Sequence, residues 1–464
     1  VAFAHAGRAC LGVTVWMAVW WFTEALPIAA TAMLPLVVYP LLQIATPAAT
    51  FLNYANGTIF LFLGGFLLAA AIHRWHLDRR IALLTLTVFG TKPSQMVFGL
   101  MFATAFLSAW VSNTATAAMM VPIAVAVMGV VRSTQESEVI GKDEHNFGVC
   151  ILLAIAYGAS IGGMATLIGS PPNGIFARFV EQTYHTPVTF LAWMKVALPV
   201  VVIMLPVTYL LLTKVLFRTN LSGIPGGREW VKRELAKLGP MSKGEKVVLA
   251  VFLLAACLWI FGPVLRGLEI DGAKPLKFLS DEAIAMGAGL LLFMIPIDVR
   301  RGVHALDWSS AKDVVAWDVL LLFGGGLTMA AVIQSTGAAA LVGAQAQLLA
   351  GTSEVVMMSG VAALVTFATE VTSNTALAAT MMPLIAAAAE SLKIHPEGLL
   401  FVTAIAASCA FMMPVATPPN AIVFGTGRLK IGEMVRAGFF LNLIGVAVVV
   451  LCSMLFGGGL IPQT

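Results

Sequence analysis

Long apolar stretches dominate the chain, and they are long enough to cross a membrane as helices. A membrane-spanning helix needs about 20 apolar residues. Such stretches lie near residues 3–22, 24–44, 57–73, 148–168, 191–217, 247–266, 279–297, 315–333, 398–415 and 436–456. The pattern therefore predicts an all-α polytopic membrane protein with roughly ten spans.

Two further apolar stretches, about 93–131 and 354–392, are nearly twice as long and carry Ser-Asn-Thr near the middle. A polar tripeptide at that place indicates two short helices that meet at a turn inside the membrane, which is a re-entrant hairpin. Such a turn is tolerated only where protein or water satisfies its backbone. The alternative is a pair of full antiparallel helices joined by a tight exposed loop.

Composition excludes a soluble enzyme and a disordered chain. Hydrophobic residues make up 59% of the 464 residues and charged residues 11%, whereas a soluble domain carries about 25% charged residues. The five cysteines stand apart, which predicts neither a disulfide framework nor a zinc site. Because the chain enters apolar sequence directly at Val1, we expect that it lacks a first helix and has no cleavable signal peptide.

Three motifs recur in the same order, which predicts an internal repeat. The tripeptide Ser112-Asn113-Thr114 returns as Ser373-Asn374-Thr375, 261 residues later. Leu-Phe-Leu-Gly-Gly at 61–65 returns as Leu-Phe-Gly-Gly-Gly at 322–326, by the same interval. Pro-Pro-Asn at 171–173 returns at 418–420, 247 residues later, and the polar loop 132–146 accounts for the shorter interval.

Charges in the short loops predict that the two repeats cross the membrane in opposite directions, because Lys and Arg favour the cytoplasmic side. The segment 73–80 carries three arginines, whereas its counterpart 334–351 carries no charge. The loops 214–246 and 298–313 are basic and are expected on the cytoplasmic side as well. Inverted repeats of this kind are typical of secondary transporters.

The paired tripeptides suit the binding of an anion together with small cations. In the inverted arrangement both turns approach the middle of the bilayer, where one half-helix ends and another begins. The beginning helix offers unpaired N–H groups to a carboxylate, and the ending helix offers carbonyl oxygens to Na+. Ordinary helix capping by these residues is the alternative.

The tripeptide segments contain no basic side chain, and this absence links the anion to the cations. No Lys or Arg occurs between residues 94 and 131 or between 354 and 392. A buried anion there needs a positive partner. One cation site per repeat would neutralise a dianion.

The Pro-Pro-Asn segments predict breaks in two membrane helices, because paired prolines leave backbone carbonyls unpaired. A plain helix end followed by a loop is the alternative. Ser108 and Thr369 match at the 261-residue interval, one turn before each tripeptide. With Thr372 they are candidate cation ligands, although helical hydroxyls also bond to backbone carbonyls.

Other ionisable residues offer little rival chemistry. The seven histidines fall near the ends of segments, which argues against a metal site or a histidine proton relay. Glu370 lies inside the second hairpin and has Ala109 as its first-repeat equivalent. It is a candidate for proton coupling or for a hydrogen bond to neighbouring backbone.

These motifs resemble the divalent anion/Na+ symporter family, whose members carry dicarboxylates, citrate or sulfate. The resemblance covers nearly the whole chain and implies an inverted-repeat fold with two re-entrant hairpins and two broken helices. It also implies a homodimer in which a transport domain slides against a scaffold as an elevator. The implied division is 1–91 and 247–352 for scaffold and arms, 92–217 and 353–464 for the transport domain, and 218–246 for a cytoplasmic loop.

The resemblance also assigns binding residues. Two or more Na+ ions would be the coupling ions. Their implied ligands are Ser108, Ser112, Asn113 and the Gly169 carbonyl in the first repeat, and Thr369, Thr372, Asn374 and the Ala416 carbonyl in the second. The implied substrate contacts are Asn113, Thr114, Ser170, Asn374, Thr375, Thr417 and Pro418.

We therefore predict a multi-pass carrier of the inner (plasma) membrane that couples Na+ influx to uptake of C4 dicarboxylates such as succinate, malate or fumarate. Its predicted partners are the dianion, Na+, the lipid bilayer and a second copy of the chain, with no nucleic acid. Alternatives are a citrate or sulfate carrier, a Na+-independent exchanger, and the membrane subunit of a binding-protein-dependent transporter. An intramembrane enzyme or a channel has less support, because no cluster of His, Asp and Glu and no filter sequence occurs.

Overall fold

The computed structural model describes residues 5–90, 92–133, 141–219, 221, 227–269 and 273–461. The first repeat forms α1 (His5–Thr23), α2 (Ile28–Ala32), α3 (Leu34–Leu41), α4 (Pro47–Leu52), α5 (Gly57–Arg74), α6 (Leu77–Phe89), α7 (Pro93–Ser108), α8 (Asn113–Ser133), α9 (Lys142–Gly163), α10 (Pro171–Tyr184) and α11 (Phe190–Leu210), which continues as the π-helical turn Leu211–Leu216. Helix α12 (Gly227–Lys237) lies between the repeats.

The second repeat follows the same order. It forms α13 (Lys243–Gly267), α14 (Asp281–Met294), the short antiparallel strands β1 (Pro296–Asp298) and β2 (Val303–His304), α15 (Trp308–Val314), α16 (Trp317–Ser335), α17 (Ala339–Ala346) with the 3-10 turn Gln347–Leu349, α18 (Glu354–Ala368), α19 (Asn374–Leu392), α20 (Glu397–Ala406), α21 (Pro418–Phe424) and α22 (Ile431–Phe456). Helices α6 and α17 lie in the segments near 74–90 and 335–351, which the family resemblance implies to be the arms that hold the transport domain.

The prediction of an all-α multi-pass membrane protein is confirmed. Within the described residues, 8 helical segments are long and apolar enough to cross a membrane, or up to 9 if the pair Gly343–Leu349 and Glu354–Ala368, bent by 118°, forms one span. Several predicted spans are shorter or interrupted in the structure. The stretch 24–44 divides into α2 and α3 just before Pro35, which has no backbone N–H to donate to Thr31.

Both tripeptides lie at a helix break, as predicted for re-entrant hairpins. Helix α7 ends at Ser108 and α8 begins at Asn113, while α18 ends at Ala368 and α19 begins at Asn374. The two helices of the first hairpin, α7 and α8, both pack against α9. The two helices of the second hairpin, α18 and α19, both pack against α20. Each hairpin therefore has both of its helices packed against protein of its own repeat, which supports an irregular backbone inside a membrane.

The two repeats interlock through the half-helices that follow the Pro-Pro-Asn breaks. Helix α10 of the first repeat packs against the hairpin arm α19 of the second repeat. Its counterpart α21 packs against the hairpin arm α8 of the first repeat. This exchange brings both tripeptides and both Pro-Pro-Asn segments to the same place in the fold.

The repeated Leu-Phe-Gly motifs supply a second symmetric contact. A Cβ atom added to Gly64 on α5 would lie 2.4 Å from the backbone of Ala285 on α14. A Cβ atom added to Gly325 on α16 would likewise lie 2.4 Å from the backbone oxygen of Ala32 on α2. Glycine at these equivalent positions allows α5 to approach α14 closely and α16 to approach α2 closely.

We expect Gly64→Ala and Gly325→Ala to destabilise the protein by about 1–3 kcal/mol each, because the added methyl group overpacks a helix contact. The melting temperature of the purified protein in detergent measures the effect. Gly287→Ala on α14 is the matched control, because a Cβ atom there meets nothing within 4 Å. Equal melting temperatures for all three variants would contradict the assignment of these close contacts.

Candidate functional site

A cavity of about 1240 Å³ lies between the two repeats. Eleven of the thirteen predicted site residues line it: Ser112, Asn113, Thr114, Gly169, Ser170, Thr372, Asn374, Thr375, Ala416, Thr417 and Pro418. Ser108 and Thr369 are fully buried and lie behind the wall of the cavity. The two hairpin turns and the two helix breaks thus meet in one chamber.

The first cluster of oxygen atoms surrounds the side-chain amide of Asn113. The Asn113 Oδ1 position lies 2.6 Å from Ser108 Oγ and 3.2 Å from the carbonyl oxygens of both Ala159 and Gly169. The Ser108 hydroxyl donates to Asn113 Oδ1 (2.6 Å) or to the Ala159 carbonyl (2.8 Å). The oxygens that it does not serve need a cation, or else a rotated Asn113 amide whose two Nδ2 protons point to them. The cluster can therefore hold a small hard cation and can be satisfied without one. Ala159 was not predicted from the sequence.

The second cluster repeats this geometry. Thr369 Oγ1 lies 2.6 Å from Asn374 Oδ1 and 2.9 Å from the carbonyl oxygen of Ala407. The single hydroxyl proton cannot serve both oxygens, so the cluster is rich in acceptors. The hydroxyl of Thr372 is buried in the cavity wall and has no hydrogen-bond partner among the described residues. Neutral oxygens of this kind suit Na+.

The asparagines of the Pro-Pro-Asn motifs have a positioning role that the sequence analysis did not assign. Asn173 Nδ2 donates to the carbonyl oxygens of Gly163 (2.9 Å) and Thr166 (2.7 Å). Asn420 Nδ2 donates to those of Ala410 (3.1 Å) and Met413 (3.0 Å). Each asparagine therefore bonds to carbonyls ten and seven residues before it. It thereby fixes the loop that carries Gly169 or Ala416.

Capping also occurs at the tripeptides, as the alternative interpretation anticipated. Ser112 Oγ accepts a hydrogen bond from Ala115 N (3.3 Å), and Ser373 Oγ accepts one from Ala376 N (3.4 Å). These bonds use the serines and leave the neighbouring asparagine and threonine side chains facing the cavity. Thr114 is exposed there, whereas Thr375 is largely buried.

Glu370 binds backbone groups of the second helix break. Its carboxylate accepts hydrogen bonds from the N–H groups of residues 411, 412 and 413 at 2.7–3.0 Å and from Asn442 Nδ2 at 2.7 Å. Helix α20 stops at Ala406, so the predicted span 398–415 is only partly helical. In the first repeat the Thr166 hydroxyl instead donates to the Ala109 carbonyl. The contact between the hairpin turn and the following helix break is thus made by different groups in the two repeats.

The charged side chains that line the cavity are mostly acidic. No lysine or arginine occurs among its described lining residues. Glu24, Asp78, Asp313 and Asp318 line it, together with His73, whose Nδ1 lies 3.0 Å from Asp78 Oδ2. His73, Asp78 and Asp313 belong to the segments 73–80 and 298–313, which the loop charges predict to be cytoplasmic. The cavity therefore extends from the hairpin turns to these segments.

Residues 2–462 match the family model described as the sodium:sulfate symporter transmembrane region. The chain belongs to this family. The match confirms the predicted resemblance and makes the protein a multi-pass transporter of the plasma membrane rather than an enzyme. Membership in the sodium:sulfate symporter family extends over nearly the whole chain, as the paired motifs indicated.

Relatives within the family are close enough to align almost throughout. The chain is 40% identical over 442 residues to a sodium-dependent dicarboxylate transporter, SdcS, of Staphylococcus saprophyticus, covering 95% of this chain and 84% of the relative. It is 41% identical over 443 residues to SdcS of Staphylococcus aureus, with the same coverage.

A solved structure supports the fold. The crystal structure of the Alcanivorax borkumensis YdaH transporter, described as having an unusual topology, superposes with a TM-score of 0.61. It covers 99% of this chain and 100% of its own at 13% identity. The likeness at that identity concerns the fold alone.

We expect Glu370→Gln to lower the stability of the protein by about 1–3 kcal/mol, because the new amide N–H₂ group opposes backbone donors and leaves buried groups unpaired. The melting temperature in detergent measures the loss. Uptake by the variant should keep the pH dependence of the unaltered protein, since the Glu370 side chain is held by backbone donors and acts as a structural group. A stable variant with a flattened pH profile would favour proton coupling instead.

Proposed function

We propose that the protein couples Na+ influx to the uptake of C4 dicarboxylates such as succinate, malate and fumarate. The observation that carries this proposal is one cavity at which two helix N-termini and two clusters of neutral oxygens meet, with no lysine or arginine among its described lining residues. The names of the staphylococcal relatives, sodium-dependent dicarboxylate transporters, point to the same chemistry.

Each hairpin would bind one carboxylate of the substrate. The backbone N–H groups at the start of α8 and α19 and the positive ends of these helices favour an anion. Asn113 and Thr114 on one side, and Asn374 and Thr375 on the other, add side-chain donors. Ser170, Thr417 and Pro418 would border the same pocket. Two such clamps suit a molecule with a carboxylate at each end.

Each oxygen cluster would bind one Na+ ion. In the first repeat the ligands would be Ser108, Ser112, Asn113 and the Gly169 carbonyl, with the Ala159 carbonyl as a further oxygen. In the second repeat they would be Thr369, Thr372, Asn374 and the Ala416 carbonyl, with the Ala407 carbonyl added. Two monovalent cations neutralise a dianion where charge burial is costly, so substrate and Na+ would move together.

Movement of the substrate would follow an elevator mechanism in a homodimer. Residues 1–91 and 247–352 would form the scaffold and its arms, and residues 92–217 and 353–464 the sliding transport domain. The cavity, which extends to the segments 73–80 and 298–313 predicted to be cytoplasmic, fits a state that faces inwards. Sulfate is a second candidate substrate, because the family model is that of sodium:sulfate symporters.

We expect purified protein in liposomes to accumulate radiolabelled succinate when Na+ is higher outside, and to accumulate little with K+ in its place. Uptake indifferent to Na+ would contradict the coupling. Unlabelled sulfate and citrate, added as competitors, distinguish the carried dianion. Activity without any soluble partner would separate this carrier from a binding-protein-dependent transporter.

We expect Thr375→Ala to weaken succinate binding by about tenfold to a hundredfold, because it removes one hydrogen bond to a charged carboxylate. The concentration of succinate at half-maximal uptake measures the effect at saturating Na+. Thr380→Ala is the control on the same helix, because the Thr380 hydroxyl donates to the Ala376 carbonyl and lies outside the cavity lining. Unchanged half-saturation in Thr375→Ala would remove this residue from the clamp.

A further inference from the structure

The hydroxyl of Thr116 lies in the cavity wall, and neither the sequence motifs nor the proposed carboxylate clamp assigns it a role. Thr116 is among the residues that line the cavity, it is 1% exposed, and its buried Oγ1 has no hydrogen-bond partner among the described residues. Thr372 is the other described cavity-lining residue with an unpartnered buried hydroxyl, and it already belongs to the proposed second cation site. A buried hydroxyl without a partner opposes folding, so a partner that arrives with the substrate would stabilise the loaded state.

The position of Thr116 indicates what kind of partner that is. It lies on the first turn of α8, four residues after Ser112, and its backbone N–H donates to the Ser112 carbonyl (3.0 Å). Residues four apart share one face of a helix, so Thr116 lies about 6 Å further along the axis than Ser112. The positive end of α8 favours an oxygen of the substrate as the partner.

The two repeats differ at this position, and that difference suggests what the hydroxyl recognises. The equivalent residue of the second repeat is Leu377, a buried apolar side chain outside the cavity lining. The paired tripeptides are alike and therefore suit the two like ends of a dicarboxylate. A single hydroxyl beside one of them suits a group that only one end of the molecule carries.

We propose that Thr116 is a specificity-determining residue that hydrogen-bonds the hydroxyl substituent of a 2-hydroxy C4 dicarboxylate such as L-malate. The inference rests on the proposed function, because it takes the paired tripeptides as carboxylate clamps. A protein with this hydroxyl holds the substituted acid by one bond more than it holds succinate.

The experiment compares two unlabelled competitors, L-malate and succinate, against radiolabelled succinate uptake into proteoliposomes at one Na+ concentration. In Thr116→Val the half-inhibitory concentration of L-malate relative to that of succinate should rise about fivefold, the effect of one lost hydrogen bond. Thr116→Ser should keep the ratio of the unaltered protein. Thr380→Val, on the equivalent hairpin arm of the second repeat, should keep it too, since its hydroxyl is paired within α19.

An unchanged ratio in Thr116→Val would overturn the proposal. So would a shift of the Na+ activation curve with an unchanged ratio, because the hydroxyl would then serve a cation. If Thr116→Val does not fold, Thr116→Cys, of similar size and a weak donor, decides in its place. Loss of Na+-driven succinate uptake by the unaltered protein would refute the proposed function itself, and it is seen before any variant is compared.

Discussion

The structure depends on one constraint: every backbone N–H and C=O group of a broken helix inside the membrane needs a partner. Four such breaks contribute residues to the cavity or lie directly behind its wall, at 109–112, 164–170, 369–373 and 407–417. Side chains of the same repeat supply partners at these breaks. Asn173 and Asn420 donate to backbone carbonyls, and the Glu370 carboxylate accepts from three backbone N–H groups. Irregular backbone is expensive in lipid, so the breaks gather where protein encloses them.

The same hydrogen bonding determines which groups at the helix breaks remain available to bind ligands. Once the asparagines and Glu370 have taken their partners, the groups left over are acceptors around Asn113 and Asn374 and the N–H groups at the start of α8 and α19. Acceptors alone suit cations, and helix N-termini suit anions. In the proposed carrier the two kinds of ligand then stabilise each other, because the cavity lining described here contains no arginine or lysine that would fix an anion permanently.

Much of this arrangement could be predicted from the sequence, because repeated motifs occur at the positions that form it. The tripeptides, the Pro-Pro-Asn breaks and the Leu-Phe-Gly motifs are local patterns whose recurrence marks equivalent places. The length of α20 and the role of Glu370 could not be predicted in the same way. Residues 407–415 are as apolar as a helix, and the N–H groups of residues 411, 412 and 413 bond to a carboxylate that lies 41 to 43 residues earlier in the chain. The carbonyls bonded by Asn173 likewise depend on a folded loop.

Departures from the repeat carry information that the repeat itself cannot. Two halves related by an inverted repeat offer the same ligands to both ends of a substrate and the same joints to both sides of the membrane. Any preference for one substrate end, or for one side, must therefore come from unequal positions. Three of them lie in the hairpins at or beside the tripeptides: Ala109 and Glu370, Val111 and Thr372, and Thr116 and Leu377. The first pair gives a carboxyl group to one helix break and none to its counterpart. In each of the other two pairs, one repeat has a threonine in the cavity wall where the other has an aliphatic side chain. A symmetric frame thus provides the sites, and these substitutions make its two halves chemically different.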